Sequence, residues 1–146
     1  MKLFVMIAMA FACSVTGFSQ NLKAANVPPA VKEGLKKTHT NVSVSWEMEE
    51  SNYEANFKQN GKQLSCILDS HGQILETETI ISLSELPEKA RKYLDQHYKG
   101  KKWNEIAKIE KAGGETNYEV VMAGKEVLFD GSGNFKEEEK EEKEKD

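Results

Sequence analysis

Few side chains in this sequence are suited to catalysis or metal binding, and they are widely spaced. The histidines are His39, His71 and His97, and no pair has the HxH or HxxxH spacing with which zinc sites are commonly built. A histidine near a helix end is ordinary because it interacts favourably with the helix dipole. We therefore expect neither a metal site nor a bound cofactor.

Cys66 is the only cysteine after the first 19 residues. A lone thiol can act as a nucleophile or form an intermolecular bridge. The stretch QLSCILD alternates, however, and places Leu64, Cys66 and Leu68 on one face of a strand, where a free cysteine behaves as a small hydrophobe. We expect a buried thiol.

Two Asp–Gly stretches, Asp69-Ser-His-Gly72 and Asp130-Gly-Ser-Gly133, invite comparison with calcium loops. They lack the alternating carboxylates and distant Glu of an EF-hand and match a common turn signature instead. The GxSxG and SxxK nucleophile motifs are missing too. We predict no catalytic residue and a protein that is not an enzyme. A small hydrolase that uses carboxylates or Cys66 is the alternative, because a carboxylate pair is defined by its distance in space.

The chain begins MKLFVMIAMAFACSVTGFSQ, with one lysine, an apolar run and then small and polar residues. This is the layout of a secretory signal peptide, and the apolar run is shorter than the roughly 20 residues that span a bilayer. We predict a signal peptide at residues 1–19 and a periplasmic or secreted protein, with no membrane insertion after cleavage. Lipid attachment at Cys13 is the alternative, although Ala10-Phe11-Ala12 lacks the usual leucine of a lipobox.

The net charge of −4 is unevenly distributed, since the last eleven residues, KEEEKEEKEKD, hold seven acids and four lysines. Such a run has nothing to bury, and we predict a disordered charged tail at residues 137–146. The remainder has no basic stripe and no interleaving of basic and aromatic residues. Nucleic acid and anionic membrane surfaces are therefore not expected as partners.

The sequence repeats itself. NYEANF at residues 52–57 returns as NYEVVM at residues 117–122. Further matches follow in the same order: VPPAVKEGLKK at 27–37 with LPEKARKYLDQ at 86–96, NGK at 60–62 with AGK at 123–125, and CILDSHGQI at 66–74 with VLFDGSGNF at 127–135. We infer one domain at residues 20–136, made of repeats at about 26–81 and 82–136.

Each repeat reads as one helix followed by four strands. The helices begin at Pro28-Pro29 and around Pro87, since proline is tolerated in a first helical turn. VSVSWEME at residues 42–49 alternates strictly, and closely spaced strands with Asn, Asp and Gly turns indicate hairpins. The predicted fold class is α+β, with two tandem helix-plus-four-strand repeats forming one antiparallel sheet and both helices packed on one face. The strands predicted for the second repeat are 102–111, 116–123, 125–130 and 134–137.

The order Val-Pro, Trp-Glu, Tyr-Glu-Ala-x-Phe, Asn-Gly and Asp-x-x-Gly, continued by LP, IAKIE, YEV and FDGSG, resembles the exported PepSY-like domains. Those domains are described as similar to beta-lactamase-inhibitor proteins (a BLIP-like fold). The resemblance covers about residues 26–136 and departs where Ile109 replaces Trp46 and where the charged tail is added. It implies an eight-stranded sheet in an exported bacterial protein that binds or inhibits another protein, such as an envelope peptidase.

Alternation along the strands predicts which side chains face away from the helices. We expect the apolar residues on that face to anchor an envelope protein and the charged ones to form a polar rim. The anchors are Ile67, Ile106, Val121 and Leu128, and the rim is Glu54, Lys58 and Glu119. Two alternatives are that these are scattered surface residues, or that one bulge moves them inside. A small-molecule carrier with a cavity between helices and sheet is a further alternative.

Overall fold

The computed structural model describes residues 20–140 of the chain. These residues form two α-helices and a nine-stranded antiparallel sheet. The helices are α1 (Pro29–Lys36) and α2 (Glu88–His97). The strands are β1 (Gln20–Leu22), β2 (Ser45–Glu49), β3 (Asn52–Gln59), β4 (Lys62–Leu68), β5 (Ile74–Ile80), β6 (Trp103–Lys111), β7 (Thr116–Met122), β8 (Lys125–Asp130) and β9 (Phe135–Lys140). Short 3-10 helices at Ala24–Asn26 and Leu83–Glu85 precede the two α-helices.

The strands lie in the sheet in chain order, so each pairs with its sequence neighbours. Between β3 and β4 the turn is Asn60-Gly61, with φ of 53° and 77°. Two successive residues with positive φ suit the twist of a two-residue hairpin, for which Asn-Gly is the preferred pair. Local turn chemistry therefore sets the register of this hairpin.

Both helices pack on the same face of the sheet, which we call the covered face. α1 contributes Val31 and Leu35 to one cluster, and α2 contributes Ala90 and Leu94 to another. The first cluster also contains Val27, Trp46, Ala55, Phe57, Cys66 and Leu68, and the second Leu86, Tyr98, Ile106, Val120, Met122, Val127 and Phe129. Burial of these side chains, each worth about 1.5–3 kcal/mol for a large aliphatic residue, holds the helices to the sheet.

The duplication is visible in the strand registers. Ala55 pairs with Cys66 in the first repeat, and Val120 pairs with Val127 in the second. The register also shifts at equivalent places, between Ile67 and Leu68 and between Leu128 and Phe129. The α+β fold of two helix-plus-four-strand repeats is confirmed.

The predicted phase of β6 was wrong. Ile106 pairs with Val120 and lies in the core under α2, so it belongs to the covered face and not to the binding face. Because Trp46 pairs with Ala55, the equivalent of Trp46 is Ile106 rather than Ile109. The register shifts between Trp103 and Glu105, and such an irregularity changes which side chains face inward.

Two strand predictions also need correction at the ends of the sheet. β1 pairs with β2 and adds a ninth strand to the eight expected. Residues 137–140, expected to be disordered, continue β9 and pair with β8. The charged residues Lys136, Glu137, Glu138, Glu139 and Lys140 on this outermost strand suit an edge, since charge discourages pairing with another chain. Residues 1–19 and 141–146, which hold the predicted signal peptide and the rest of the tail, lie outside the described residues.

The turn after β4 touches α1 through two glycines. A Cβ added to Gly34 would lie 1.9 Å from the Gly72 carbonyl oxygen, and one added to Gly72 would lie 2.1 Å from the Ala30 carbonyl oxygen. In the second repeat a Cβ on Gly133 would lie 3.0 Å from the Ala90 amide nitrogen. The Asp-x-x-Gly turn thus docks backbone to backbone on the helix in both repeats.

We predict that Gly34→Ala destabilises the protein by about 1–3 kcal/mol, because the overpacked methyl meets a backbone carbonyl. Helix propensity alone would favour alanine by about 1 kcal/mol, so a net loss shows that the contact outweighs propensity. Urea unfolding measures the difference. Gly113→Ala is the matched control, since nothing lies within 4 Å of a Cβ there. Equal stability of Gly34→Ala and the parent would contradict the proposed docking of turn on helix.

Candidate functional site on the uncovered sheet face

The face opposite the helices, the uncovered face, receives every second side chain of the sheet. Apolar and acidic side chains alternate across its strands. Ile67 of β4 lies between Glu54 of β3 and Glu76 of β5. Leu128 of β8 likewise lies between Glu119 of β7 and Glu137 of β9. The duplication has therefore placed the same Glu–aliphatic–Glu row in both repeats.

The apolar part of this face extends through the junction of the repeats. Ile109 pairs with Glu78, and Ala107 pairs with Ile80. Ile67, Ile109 and Val121 are only 7–8% exposed although no helix covers them in the described chain. Neighbouring side chains of the sheet shield them, so these aliphatic residues are buried among the glutamates of the face.

The acidic part is a set of glutamates on the same face, which we call the glutamate cluster. Its members are Glu47, Glu54, Glu76, Glu78, Glu105, Glu119, Glu126, Glu137 and Glu139. Glu54, Glu78 and Glu119 are each only 5% exposed. Charged side chains are rarely this buried. These three are the most buried members of the glutamate cluster.

Burial is the largest cause of the raised carboxyl pKa values on this face. Together with the nearby carboxyls of Glu119, Glu105, Glu76 and Glu54, it raises the pKa of Glu78 to about 8. Burial, and then the carboxyls of Glu126, Glu105, Glu76 and Glu139, likewise raise the pKa of Glu119 to about 8. Low-dielectric surroundings and like charges both disfavour the ionised carboxylate. At neutral pH the protonated form of each of these two carboxyl groups is therefore favoured.

Glu78 lines a shallow depression together with Asn56, Gln63, Leu64, Ser65 and Ile80. Within the described residues, the side-chain oxygen of Asn56 is buried without a hydrogen-bond partner. The Glu78 carboxyl group is not among the side-chain hydrogen bonds or ion pairs of the described chain either. Buried polar atoms are normally satisfied, so Asn56 Oδ1 is an unsatisfied acceptor beside Glu78 in this depression.

The structure places six of the seven predicted site residues on the uncovered face. Ile67, Val121, Leu128, Glu54 and Glu119 lie in its interior, and Lys58 is exposed at its end. Ile106 is the exception already described. Sequence reasoning missed Ile109 and Glu78. Alternation within ILETETI puts Glu76 and Glu78 on one side of β5. Only the pairing of β5 with β6 shows that β5 lies in the middle of the sheet.

The thiol and the histidines occupy ordinary structural positions. Cys66 is buried under α1 as predicted, and burial raises the pKa of its thiol despite a hydrogen bond with Thr77. His39 Nδ1 lies 2.8 Å from Gln59 Oε1, and the His97 ring stacks on Tyr93 with centroids 4.1 Å apart. A raised thiol pKa disfavours the thiolate that nucleophilic chemistry requires.

The two Asp–Gly stretches are turns, as predicted. Asp69 Oδ1 accepts hydrogen bonds from the amides of His71 and Gln73, both at 2.9 Å. Asp130 Oδ1 accepts the equivalent bonds from Ser132 and Asn134. Each carboxylate is thus engaged with its own backbone. Within residues 20–140 no group of three or more His, Cys, Asp or Glu side chains could hold a metal ion.

A family model for proteins described as "Putative beta-lactamase-inhibitor-like, PepSY-like" matches the chain twice, over residues 15–76 and 51–137. The chain belongs to the PepSY-like family. The two matches overlap at residues 51–76 and together cover both repeats, so the sequence resemblance is confirmed. No curated protein matches the chain significantly.

Solved structures share the PepSY-like fold. A DUF2874 family protein from Bacteroides uniformis ATCC 8492 is 23% identical with a TM-score of 0.70, covering 77% of this chain and 88% of its own. A BLIP-like protein from Bacteroides fragilis NCTC 9343 is 23% identical with a TM-score of 0.63, covering 82% and 92%. A "putative periplasmic" protein from Bacteroides eggerthii DSM 20697 is 15% identical with a TM-score of 0.70, covering 78% and 88%. At these identities the likeness shows the fold.

Among the described residues, neither helix has the length and apolar character that crossing a bilayer would require.

We predict that stability falls as pH rises from about 5 to 8 and that Glu78→Gln flattens this dependence. The folded state holds protons that the unfolded chain has released, because the pKa of Glu78 is raised from 4.5 to about 8. Stability from such a group is full below the unfolded pKa and is lost through the folded pKa. At pH 8 the variant should be more stable than the parent by about 1–3 kcal/mol.

Thermal or urea unfolding at pH 5, 6.5 and 8 measures this difference. Glu33→Gln, on the exposed side of α1, is the matched control and should follow the parent at each pH. A parent curve that is flat, or that rises from pH 5 to 8, would show that Glu78 is ionised in the folded protein.

Proposed function

We propose that this PepSY-like protein is an exported, non-enzymatic binding module of the bacterial envelope. Its uncovered face binds or inhibits another envelope protein, such as a peptidase, without covalent chemistry. The observation that supports this proposal is the presence of aliphatic side chains among glutamates on the uncovered face: Ile67, Ile109, Val121 and Leu128. A sheet face with this composition is unlike a simple solvated face, which would carry mainly exposed polar side chains.

The rest of the molecule supports a binding role over a catalytic one. The covered face is occupied by the two helices and their core clusters, which leaves the opposite face for a partner. Cys66, the one thiol in the described chain, lies in the core. The family description and the fold shared with a BLIP-like protein favour binding to another protein. The solved structure described as periplasmic favours the same compartment for this chain.

Apolar side chains at the centre of an interface supply much of the binding free energy, and polar groups around them supply specificity. On this face the two kinds alternate instead of forming a core and a rim. A partner must therefore match both at once, with apolar groups over Ile67 and Leu128 and polar groups beside them. The equivalent rows in the two repeats would let a partner engage the face at two points.

We predict that Ile67→Lys with Leu128→Lys abolishes capture of an envelope protein by the mature chain from residue 20. Lysine removes the apolar contact at the equivalent position of each repeat, and an affinity loss of at least tenfold is expected. Immobilised parent and variant are exposed to the same envelope extract, and captured proteins are compared by mass spectrometry. Circular dichroism and thermal unfolding establish first that the variant is folded.

Leu83→Lys is the matched control, because Leu83 is an exposed leucine outside the sheet. It should capture the same protein as the parent. If the folded double variant captures it equally well, the uncovered face is not the binding site. Failure of the double variant to fold would move the test to Leu128→Ser, which removes the apolar contact at a half-buried position.

A further inference from the structure

The uncovered face is acidic, whereas the helices of the protein carry more cations than acids. Lysines on that face lie at the ends of its strands, where Lys58 is exposed and Lys111 pairs with Glu76. The glutamate cluster fills the interior of the face. In contrast, α1 and α2 carry Lys32, Lys36, Lys89, Arg91 and Lys92 together with Glu33, Glu88 and Asp95. The helices therefore have a small excess of cations, whereas glutamates dominate the uncovered face.

Glu78 is the feature of the cluster that points to a ligand. It is 95% buried in the centre of the sheet, since it is 5% exposed, and its carboxyl group takes no part in the side-chain hydrogen bonds and ion pairs of the described residues. It lines the depression into which the partnerless Asn56 Oδ1 also opens. A buried carboxylate needs a cationic or hydrogen-bonding partner to offset the loss of water. The charged side chains that shift its pKa are the like charges of Glu119, Glu105, Glu76 and Glu54.

We propose that the uncovered face recognises a cationic segment of another exported protein, in which lysine or arginine side chains reach Glu78 and Glu119. This proposal rests on the proposed function and specifies the chemistry of the partner. Aliphatic side chains between the cations pack on Ile67 and Leu128. The spacing of cations and aliphatic side chains in the partner follows the sheet, where Ile67 and Leu128 each lie between two glutamates. Arginine is the better match because its planar fork can donate two hydrogen bonds to one carboxylate.

Charge complementarity selects this occupant over others from the same chain. Residues 141–146 carry four acids and two lysines, so they do not complement an acidic face. A second copy that presented its own uncovered face would bring like charges together, which costs affinity. The helices of a second copy carry a small excess of cations and could contact the uncovered face of the first. Sedimentation tests this self-association.

Binding of a cation to these carboxyls is linked to proton release. The charged groups that face Glu78 are Glu54, Glu76, Glu105 and Glu119, with Lys111 at the end of the row. Glu78 and Glu119 hold protons at neutral pH, and a bound cation stabilises their ionised forms. Affinity for a cationic segment should therefore rise by at least tenfold between pH 6 and 8.5.

The test uses two fluorescent ten-residue peptides with the same apolar content and opposite charge. One alternates lysine with valine and the other alternates glutamate with valine. Binding to the mature protein is measured by fluorescence anisotropy at pH 6, 7 and 8.5. The lysine peptide should bind the parent, and Glu78→Gln with Glu119→Gln should weaken that binding at least tenfold at pH 8.5. The glutamate peptide should not bind.

Glu33→Gln with Glu88→Gln is the matched control at pH 8.5, where it also removes two carboxylates but on the helical side. It should bind the lysine peptide within twofold of the parent. Glutamine imitates the protonated carboxyl that the folded protein already holds, so the test variant is expected to fold, and thermal unfolding checks this.

Equal binding of the lysine peptide to the parent and to Glu78→Gln with Glu119→Gln would overturn the proposal, as would equal binding of the two peptides. Sedimentation of the parent alone tests whether a second copy occupies the uncovered face. If the parent is a dimer and Glu78→Gln with Glu119→Gln is a monomer, the occupant is another copy and the proposal is overturned. If the lysine peptide does not bind but Ile67→Lys with Leu128→Lys still loses its envelope protein, the cationic partner is wrong and the proposed function stands. If both experiments fail, the uncovered face is not a binding site.

Discussion

One antiparallel ladder running from β1 to β9 determines where every side chain of the sheet points. Because successive residues of a strand face opposite sides, the apolar set that packs under the helices commits the intervening residues to the uncovered face. The two helices bury one side only. A sheet of nine strands therefore leaves a wide second face, and its composition is free to serve binding. Duplication gives that face two equivalent rows.

Buried glutamates on the second face reduce stability at neutral and alkaline pH, since their protonation favours folding. Strand pairing would be satisfied as well by threonine or valine at these positions, which have higher β-propensity. Strand pairing therefore does not require glutamate at these positions, which fits the proposal that the uncovered face recognises a partner. A cation that reached Glu78 and Glu119 would stabilise their ionised forms.

Much of the fold could be predicted from the sequence because the repeat, the prolines and the turn glycines are local signals. Burial of Cys66 also followed from simple alternation. The phase of β6 could not be predicted, because the register shift between Trp103 and Glu105 arises from pairing with β7 and moves Ile106 into the core. β1 and the continuation of β9 depend on partners distant in sequence. The burial of Glu78 depends on β6 lying beside β5, so its role at the site could not be predicted from spacing alone.

Photo-crosslinking from the uncovered face tests the central claim most directly. A benzophenone side chain is introduced at Leu128, and separately at Gln96 on the exposed side of α2, in the mature protein. Both are irradiated in envelope extract. We predict a discrete adduct with one protein from position 128 and no adduct of that mass from position 96. An adduct formed only from position 96, or the same adduct from both positions, would contradict a binding site on the uncovered face.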